Sequence, residues 1–418
     1  MSATIPDPLS DDTAYFQILI DSRVSDSSRV HLTFTANRMS RTAPPILDIT
    51  WLTGGGSNFD DWANPVMQIV NSATGVSGGA NFKDTYDILL NMLPKDSSGN
   101  YWVLKIPFLN PADSTQSLAG SGHLTITLDA PAVMQINKAG SGFAFALPSP
   151  DPRGAGGNNI WDFVELNCAT PASNSKSVCF CNTTNVDFFA LGIAIKGRQA
   201  DGSMATFGLD LSETNPVSSL ISALSSAPAE YAAGRVPSSG NFLRFLAPDM
   251  SFSTDATALD NAIEDGFAYY QSPNTLKFSV GATNYEASTI NDELVFTTPQ
   301  QFTIKKPSTL QVVASTGPLD VGGQPDLIQD AIKYIDAALN RGVFTDTASW
   351  SNPQKWYPAS VQHNVYSHIL HERFMGHGTP EGSACYGFSF DDVPGPPLVT
   401  SAPAIATCTS MSLVITDQ

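Results

Sequence analysis

The chain has 418 residues, enough for two domains and a sizeable core. Lys and Arg number 21 against 39 Asp and Glu, and the formal charge of −18 repels nucleic acid and anionic membrane but leaves a neutral polysaccharide unpenalised. Only 14% of residues are charged and 42% are hydrophobic, with 31 Gly and 29 Pro spread rather than repeated, which fits a loop-rich β protein and excludes a disordered one.

Short alternating runs at 15–20, 30–35, 101–108, 123–128 and 143–147, bounded by Gly, Pro, Asp and Ser, predict antiparallel strands. Gly54, Gly55 and Gly56 lack a following Lys or helical pattern and read as a turn. The run 160–167 follows: Ile160, Val164 and Leu166 share one face of a strand, while Trp161, Phe163, Glu165 and Asn167 share the other. That second face is aromatic and polar, which suits a sugar cleft. In 182–189, Val186 and Phe188 point one way and Thr183, Asn185 and Asp187 the other. If the two strands are neighbours, Glu165 and Asp187 face one groove; solvated strand faces also carry isolated acids, so the pattern alone decides little. Between them, 168–179 forms a long loop expected to overhang the cleft. Cys168, Cys179 and Cys181 cluster there, where one disulfide could staple the loop, and Cys385 with Cys408 could form another.

From about Leu211 the pattern turns helical at 216–224 and 254–270, and most clearly at 325–340, with Pro325 at its start and Gly342 past its end. Strands are expected at 276–280, 293–297 and 310–313, and a helix at 363–375. His368 and His371 stand three apart on that helix beside Glu372, a spacing that is not a zincin's, so no metal site is expected. No phosphate loop, dinucleotide fingerprint or nucleophile elbow occurs, and no stretch approaches the ~18 apolar residues of a membrane span. The alternation of Tyr386, Phe388 and Phe390 reads as a strand that returns to the first domain. Met1 to Asp7 lacks the basic segment and apolar run of a signal peptide, so an extracellular location requires a leader already removed or another export route.

Trp161-Asp162-Phe163-Val164-Glu165, then Asn182-Thr183-Thr184-Asn185-Val186-Asp187-Phe188-Phe189, resembles the signature of glycoside hydrolase family 64, the laminaripentaose-producing β-1,3-glucanases of the thaumatin-like superfamily. Asn364-Val365-Tyr366-Ser367-His368 and Tyr386-Gly387-Phe388-Ser389-Phe390-Asp391-Asp392-Val393 resemble its late blocks, so the likeness covers most of the chain from about Gly142. It implies a mainly β fold with α+β character: a thaumatin-like sandwich or barrel domain from 1–211 and 385–418, and an inserted mixed α/β domain at 212–384, with a wide open groove between. It also implies a glucan endo-1,3-β-glucosidase type of enzyme that cleaves laminarin-type β-1,3-glucan with inversion and releases short laminari-oligosaccharides. Glu165 would be the general acid and Asp187 the general base. Trp161, Asn167, Asn182, Thr184, Asn185, Asn364, Tyr366, Tyr386, Asp391 and Asp392 would bind the glucan. No cofactor, nucleic acid or membrane is implied, and the expected form is a secreted monomer. A thaumatin-like protein that binds β-glucan without cleaving it is the alternative. The long loop between the acids departs from the family's short hairpin and carries no aromatic residue before Phe180.

Overall fold

The computed structural model describes residues 4–10, 15–36, 74–76, 79–81, 88–107, 109–110, 113–117, 120–132, 135–139, 142–154, 156–169, 178–237, 242–375, 385–393 and 404–417. The expected turn at Gly54 to Gly56 and the greater part of the long loop lie outside them. Strands dominate, with helices concentrated after residue 215.

Among the described residues the main sheet has ten strands. Its path runs Met204–Gly208, Gly192–Gln199, Ala404–Thr416, Val178–Thr183, Ile160–Ala169, Gly120–Leu128, Val30–Ala36 and Ile88–Leu89. Tyr15–Ser22 branches from it, parallel to Ala404–Thr416 and antiparallel to Trp102–Pro107. The path is open, so the described strands close no barrel. In the central strands alternate residues enter one core: Val30 and Leu32, Leu124 and Ile126, Val164 and Leu166, Leu413 and Ile415 are all buried. This period-two burial fixes register, because a slip of one residue would send the whole apolar set outward. The 13-residue strand Ala404–Thr416 is long enough to pair with three neighbours: Val178–Thr183 along its first part, Tyr15–Ser22 along its second, and Gly192–Gln199.

A second core belongs to the four-stranded antiparallel sheet Leu276–Val280, Thr283–Ile290, Glu293–Thr298 and Phe302–Lys305, packed with the helices Asp260–Tyr269 and Asp326–Asn340. Phe267, Tyr285, Phe296, Ile335 and Trp350 fill it. The last of these helices begins directly after Pro325 and ends before Gly342, whose φ of +69° is the left-handed turn that a glycine adopts without strain.

Four expectations need correction. Residues 310–313 form a helix, Thr309–Val313, because Ser308 accepts from the Gln311 N–H while the Gln311 side chain accepts from the Ser308 N–H; that reciprocal cap outweighs the β-branched composition. The helix expected from 254 starts only at Asp260. The run 182–189 is not one strand: the first strand stops at Thr183, and Phe188–Phe189 joins a different sheet, beside Phe242–Leu246 and Arg235–Pro237. Residues 385–393 form turns with a single bridge from Tyr386 to Thr184, not a strand.

The disulfide expectation divides as well. Cys179 is disulfide-bonded, and Cys168 stands opposite it in the register. Cys385 and Cys408 are not joined to each other, because Cys408 pairs in register with Cys179 and its thiol meets the Cys181 thiol.

Candidate active site

Three adjacent strands present a row of side chains: His123, Glu165 and Asn182 stand opposite one another across Gly120–Leu128, Ile160–Ala169 and Val178–Thr183. The Glu165 side chain keeps 43% exposure, unlike its buried strand neighbours. The Asn182 side-chain N–H donates to Glu165 Oε2 at 2.8 Å, and His123 Nε2 lies 3.9 Å from Oε1. The His123 ring also stands edge-on to Phe163, with centroids 5.4 Å apart. Burial lowers the His123 pKa and the charge of Glu165 partly restores it, so the imidazole beside the acid is neutral near pH 7. Neither His123 nor the Asn182 contact was singled out from the sequence; the pairing register, which no local pattern reveals, creates both.

Asp187 reaches the site differently. After Thr183 the chain turns, and its new course is set by long-range bonds: the Asn185 N–H donates to the Tyr386 carbonyl at 2.9 Å, and the Tyr366 hydroxyl donates to the Asn185 carbonyl at 2.8 Å. The Asn185 amide donates in turn to the Phe188 carbonyl at 3.3 Å. Asp187 is exposed at the end of this turn. Although the residue is exposed, partial desolvation of its carboxyl raises it, and the charge of Glu165 raises it further, so the two acids are electrostatically coupled. Burial likewise raises the Tyr386 hydroxyl, with Asp392, Asp391 and Glu165 contributing, which sets Tyr386 on the same acidic surface.

The segment carrying Tyr386 rests on a buried polar network. Asp391 accepts from the Gly387 N–H at 2.8 Å, meets His371 Nε2 at 2.7 Å and accepts from Arg341 at 3.0 Å. Tyr357 completes it through His371 Nδ1 at 2.8 Å, and Arg341 also donates to the carbonyls of Asp391 and Val393. Burial pushes the Asp391 carboxyl up, but His371, Arg341 and the Gly387 N–H outweigh that and hold it below the ordinary range. Gly387 is required here, since a Cβ would fall 2.7 Å from Ser367 Oγ and 2.9 Å from its Cβ.

The structure thus brings Glu165, Asp187, Asn182, Thr184, Asn185 and Tyr386 together, and leaves Asp392 exposed one residue past Asp391. It removes six expected binding residues from direct contact: Asn182 and Asn185, at 3% and 4% exposure, are spent on Glu165 and on the turn before Asp187, and four others are buried elsewhere. Trp161, at 1% exposure, is covered by Phe188 and Arg244; its strand face bends under a second layer instead of opening to solvent. Asn364 caps the helix Val365–Arg373 and donates to Asn340, Tyr366 braces the Asp187 turn, and Asp391 is consumed by the network. The strand residue Asn167 stands opposite Phe180 and Ser121; its side chain lies outside the described residues.

The model of the β-1,3-glucanase family of glycoside hydrolase 64 matches residues 102–416. Among solved structures, the chain is similar to a family 64 β-1,3-glucanase domain from Clostridium beijerinckii, at 18% identity and TM-score 0.68 over 97% of this chain and 99% of that one. It is similar to a laminaripentaose-producing β-1,3-glucanase in complex with laminaritetraose, at 17% identity and TM-score 0.66 over the same shares, 97% and 99%. A third, the laminaripentaose-producing enzyme from Paenibacillus barengoltzii, gives 19% identity and TM-score 0.56 over 98% of this chain and 76% of that one. No curated protein matches. The family match covers three quarters of the chain, including the candidate site and the second core, so the chain belongs to glycoside hydrolase family 64 and is a β-1,3-glucanase, an enzyme of the glucan endo-1,3-β-glucosidase type.

Proposed function

We propose that the enzyme hydrolyses β-1,3-glucan with inversion, Glu165 acting as general acid and Asp187 as general base. The carrying observation is the unequal setting of two mutually interacting carboxyls. Glu165 is fixed by Asn182 on a rigid strand, and Asp187 is held exposed at the end of a braced turn; the Glu165 charge that raises the Asp187 carboxyl is absent in the reacting state, where Glu165 holds the proton. In the proposed step Glu165 gives its proton to the glycosidic oxygen as the C1–O bond breaks. Water attacks C1 from the opposite face, and Asp187 takes the proton that water loses. No cofactor is needed. Asn182 accounts for which oxygen does the work: its donation occupies Oε2, leaving Oε1 to carry the transferable proton.

Thr184, Tyr386 and Asp392, together with Asn167, are proposed to line the path of an extended glucan, with Asn185 supporting them from below. Domains of 1–211 with 385–418, and 212–384, would flank it in a thaumatin-like arrangement, in a secreted monomer that releases short laminari-oligosaccharides. The charge of −18 agrees with a neutral polymer as substrate. Glu165→Gln keeps shape and hydrogen bonding but removes the acid, so turnover on laminarin is expected to fall at least ~100-fold with glucan binding retained. Near-normal turnover would remove Glu165 from the mechanism.

A further inference from the structure

Spacing alone pairs His368 with His371, but the structure separates them. His371 is spent on Tyr357 and Asp391, and His368 meets His363 instead: His363 Nε2 lies 3.0 Å from His368 Nδ1. His363 stands just before the cap residue Asn364, and His368 is the fourth residue of the helix Val365–Arg373. Side chains at these two positions meet across a capped helix start. Each ring has its outer nitrogen committed to an acceptor: His363 Nδ1 donates to the Val361 carbonyl at 2.9 Å, and His368 Nε2 lies 3.3 Å from Glu372 Oε1. The acceptors fix the tautomers, so the outer nitrogens carry the protons and, in neutral rings, both facing nitrogens present lone pairs. One cation satisfies both, either a proton or a metal ion. The His368 ring is further held by stacking on Tyr357, with centroids 4.6 Å apart and planes 14° from parallel. A carbonyl or carboxylate behind the ring is the outer contact that orients metal-binding imidazoles.

We propose that His363 and His368 form a two-histidine site for a divalent transition-metal ion of tetragonal preference, copper(II) or nickel(II). Bonds of about 2.05 Å to nitrogens 3.0 Å apart enclose roughly 95°, close to the right angle of tetragonal coordination and narrower than a tetrahedral zinc site. Among the described residues no group of three or more ligating side chains could hold an ion, so water fills the remaining positions. The His368 side chain keeps 28% exposure and His363 is partly exposed, which lets an ion reach both from solvent. Glu372 and the chain's charge of −18 favour a cation here. The bound ion staples residue 363 to a helix whose buried face carries Tyr366, Ser367 and His371, the side chains that hold Asn185, Gly387 and Asp391. The site uses neither Glu165 nor Asp187.

The test is titration of the full chain with copper(II) alone, read by electron paramagnetic resonance and by thermal unfolding. One ion per chain with two nitrogen ligands is expected. Saturation should raise the melting temperature by about 1–3 °C, since only the native state brings the two rings together. His363→Ala and His368→Ala should each lose the two-nitrogen signal, while His31→Ala keeps it. Glu372→Gln should weaken binding about 10-fold, because the outer partner of His368 loses its charge. A two-nitrogen signal that persists in either alanine variant would overturn the proposal. So would its absence from the unmodified protein at excess copper(II), which would leave the pair holding a proton only. Should an alanine variant not fold, copper(II) should broaden the His363 and His368 ring signals in the NMR spectrum of the unmodified protein; broadening confined to other histidines contradicts the site.

Discussion

The two halves of the site are built on opposite plans. Glu165 stands in the middle of a ten-residue strand, flanked on both sides by paired strands, and its neighbours His123 and Asn182 follow from register alone. Asp187 and Tyr386 lie on irregular chain whose course is set by bonds involving Tyr366, Asn185, Ala247, Ser367, Asp391, His371 and Arg341, drawn from sequence positions far apart. A sheet positions a side chain by many weak, repeated bonds. The turn depends on a few buried polar ones, each of which is costly to leave unmatched.

The sharpest way to break this contrast is Arg341→Ala. The guanidinium and its partner Asp391 are 1% and 0% exposed, so its removal leaves the buried carboxylate with only His371 and the Gly387 N–H, and two backbone carbonyls without their donor. A loss of about 3–5 kcal/mol in stability is expected, measured by denaturant unfolding, with laminarin activity falling alongside. Loss of activity at unchanged stability would instead assign Arg341 to substrate. Asn182→Ala probes the strand half: the fold should tolerate it, while kcat should fall about 10-fold as Glu165 loses its anchor, corresponding to roughly 1–1.5 kcal/mol. Equal kcat in both proteins would show that the strand alone positions the acid.

A third variant separates buried charge from catalysis. Burial raises the Asp162 carboxyl to about 7, against the lowering effect of three backbone N–H groups and Arg244. Its folded-state pKa lies above its unfolded value of about 3.9, so the native state binds the extra proton and stability declines as pH rises from about 4 to 7. Asp162→Asn should flatten that decline in melting temperature against pH; an unchanged slope would show that Asp162 is not its source. The smallest effect is expected at Asp392, which is exposed beside the buried Asp391. Asp392→Ala should weaken binding of long laminari-oligosaccharides more than short ones, by a few-fold, since remote contacts count only when the substrate reaches them. Asp391→Ala should instead lower stability and affect all lengths alike.

What was legible in the sequence tracks the same division. Val164 and Leu166 alternating with Phe163 and Glu165 gave a strand that the sheet reproduces, and Asp326–Asn340 was readable from its apolar stripe and its terminal Pro and Gly. The face of Trp161 misled because alternation identifies a side of the sheet but not what covers it; here Phe188 arrives from another sheet. Val186 and Phe188 kept a period of two through a chain that had already turned, since nothing local encodes a bond from Tyr366, 181 residues away. Asp391 looked like a groove residue because its partners, Arg341 and His371, are 50 and 20 residues distant.

The central claim, that Glu165 and Asp187 divide acid and base roles in an inverting hydrolysis, meets its most direct test in Asp187→Gly supplied with azide. Removing the base should abolish laminarin hydrolysis, and azide, entering the space on the water's side of the sugar, should restore cleavage with an α-glycosyl azide as product. A β-glycosyl azide, or hydrolysis that survives the substitution, would contradict the account.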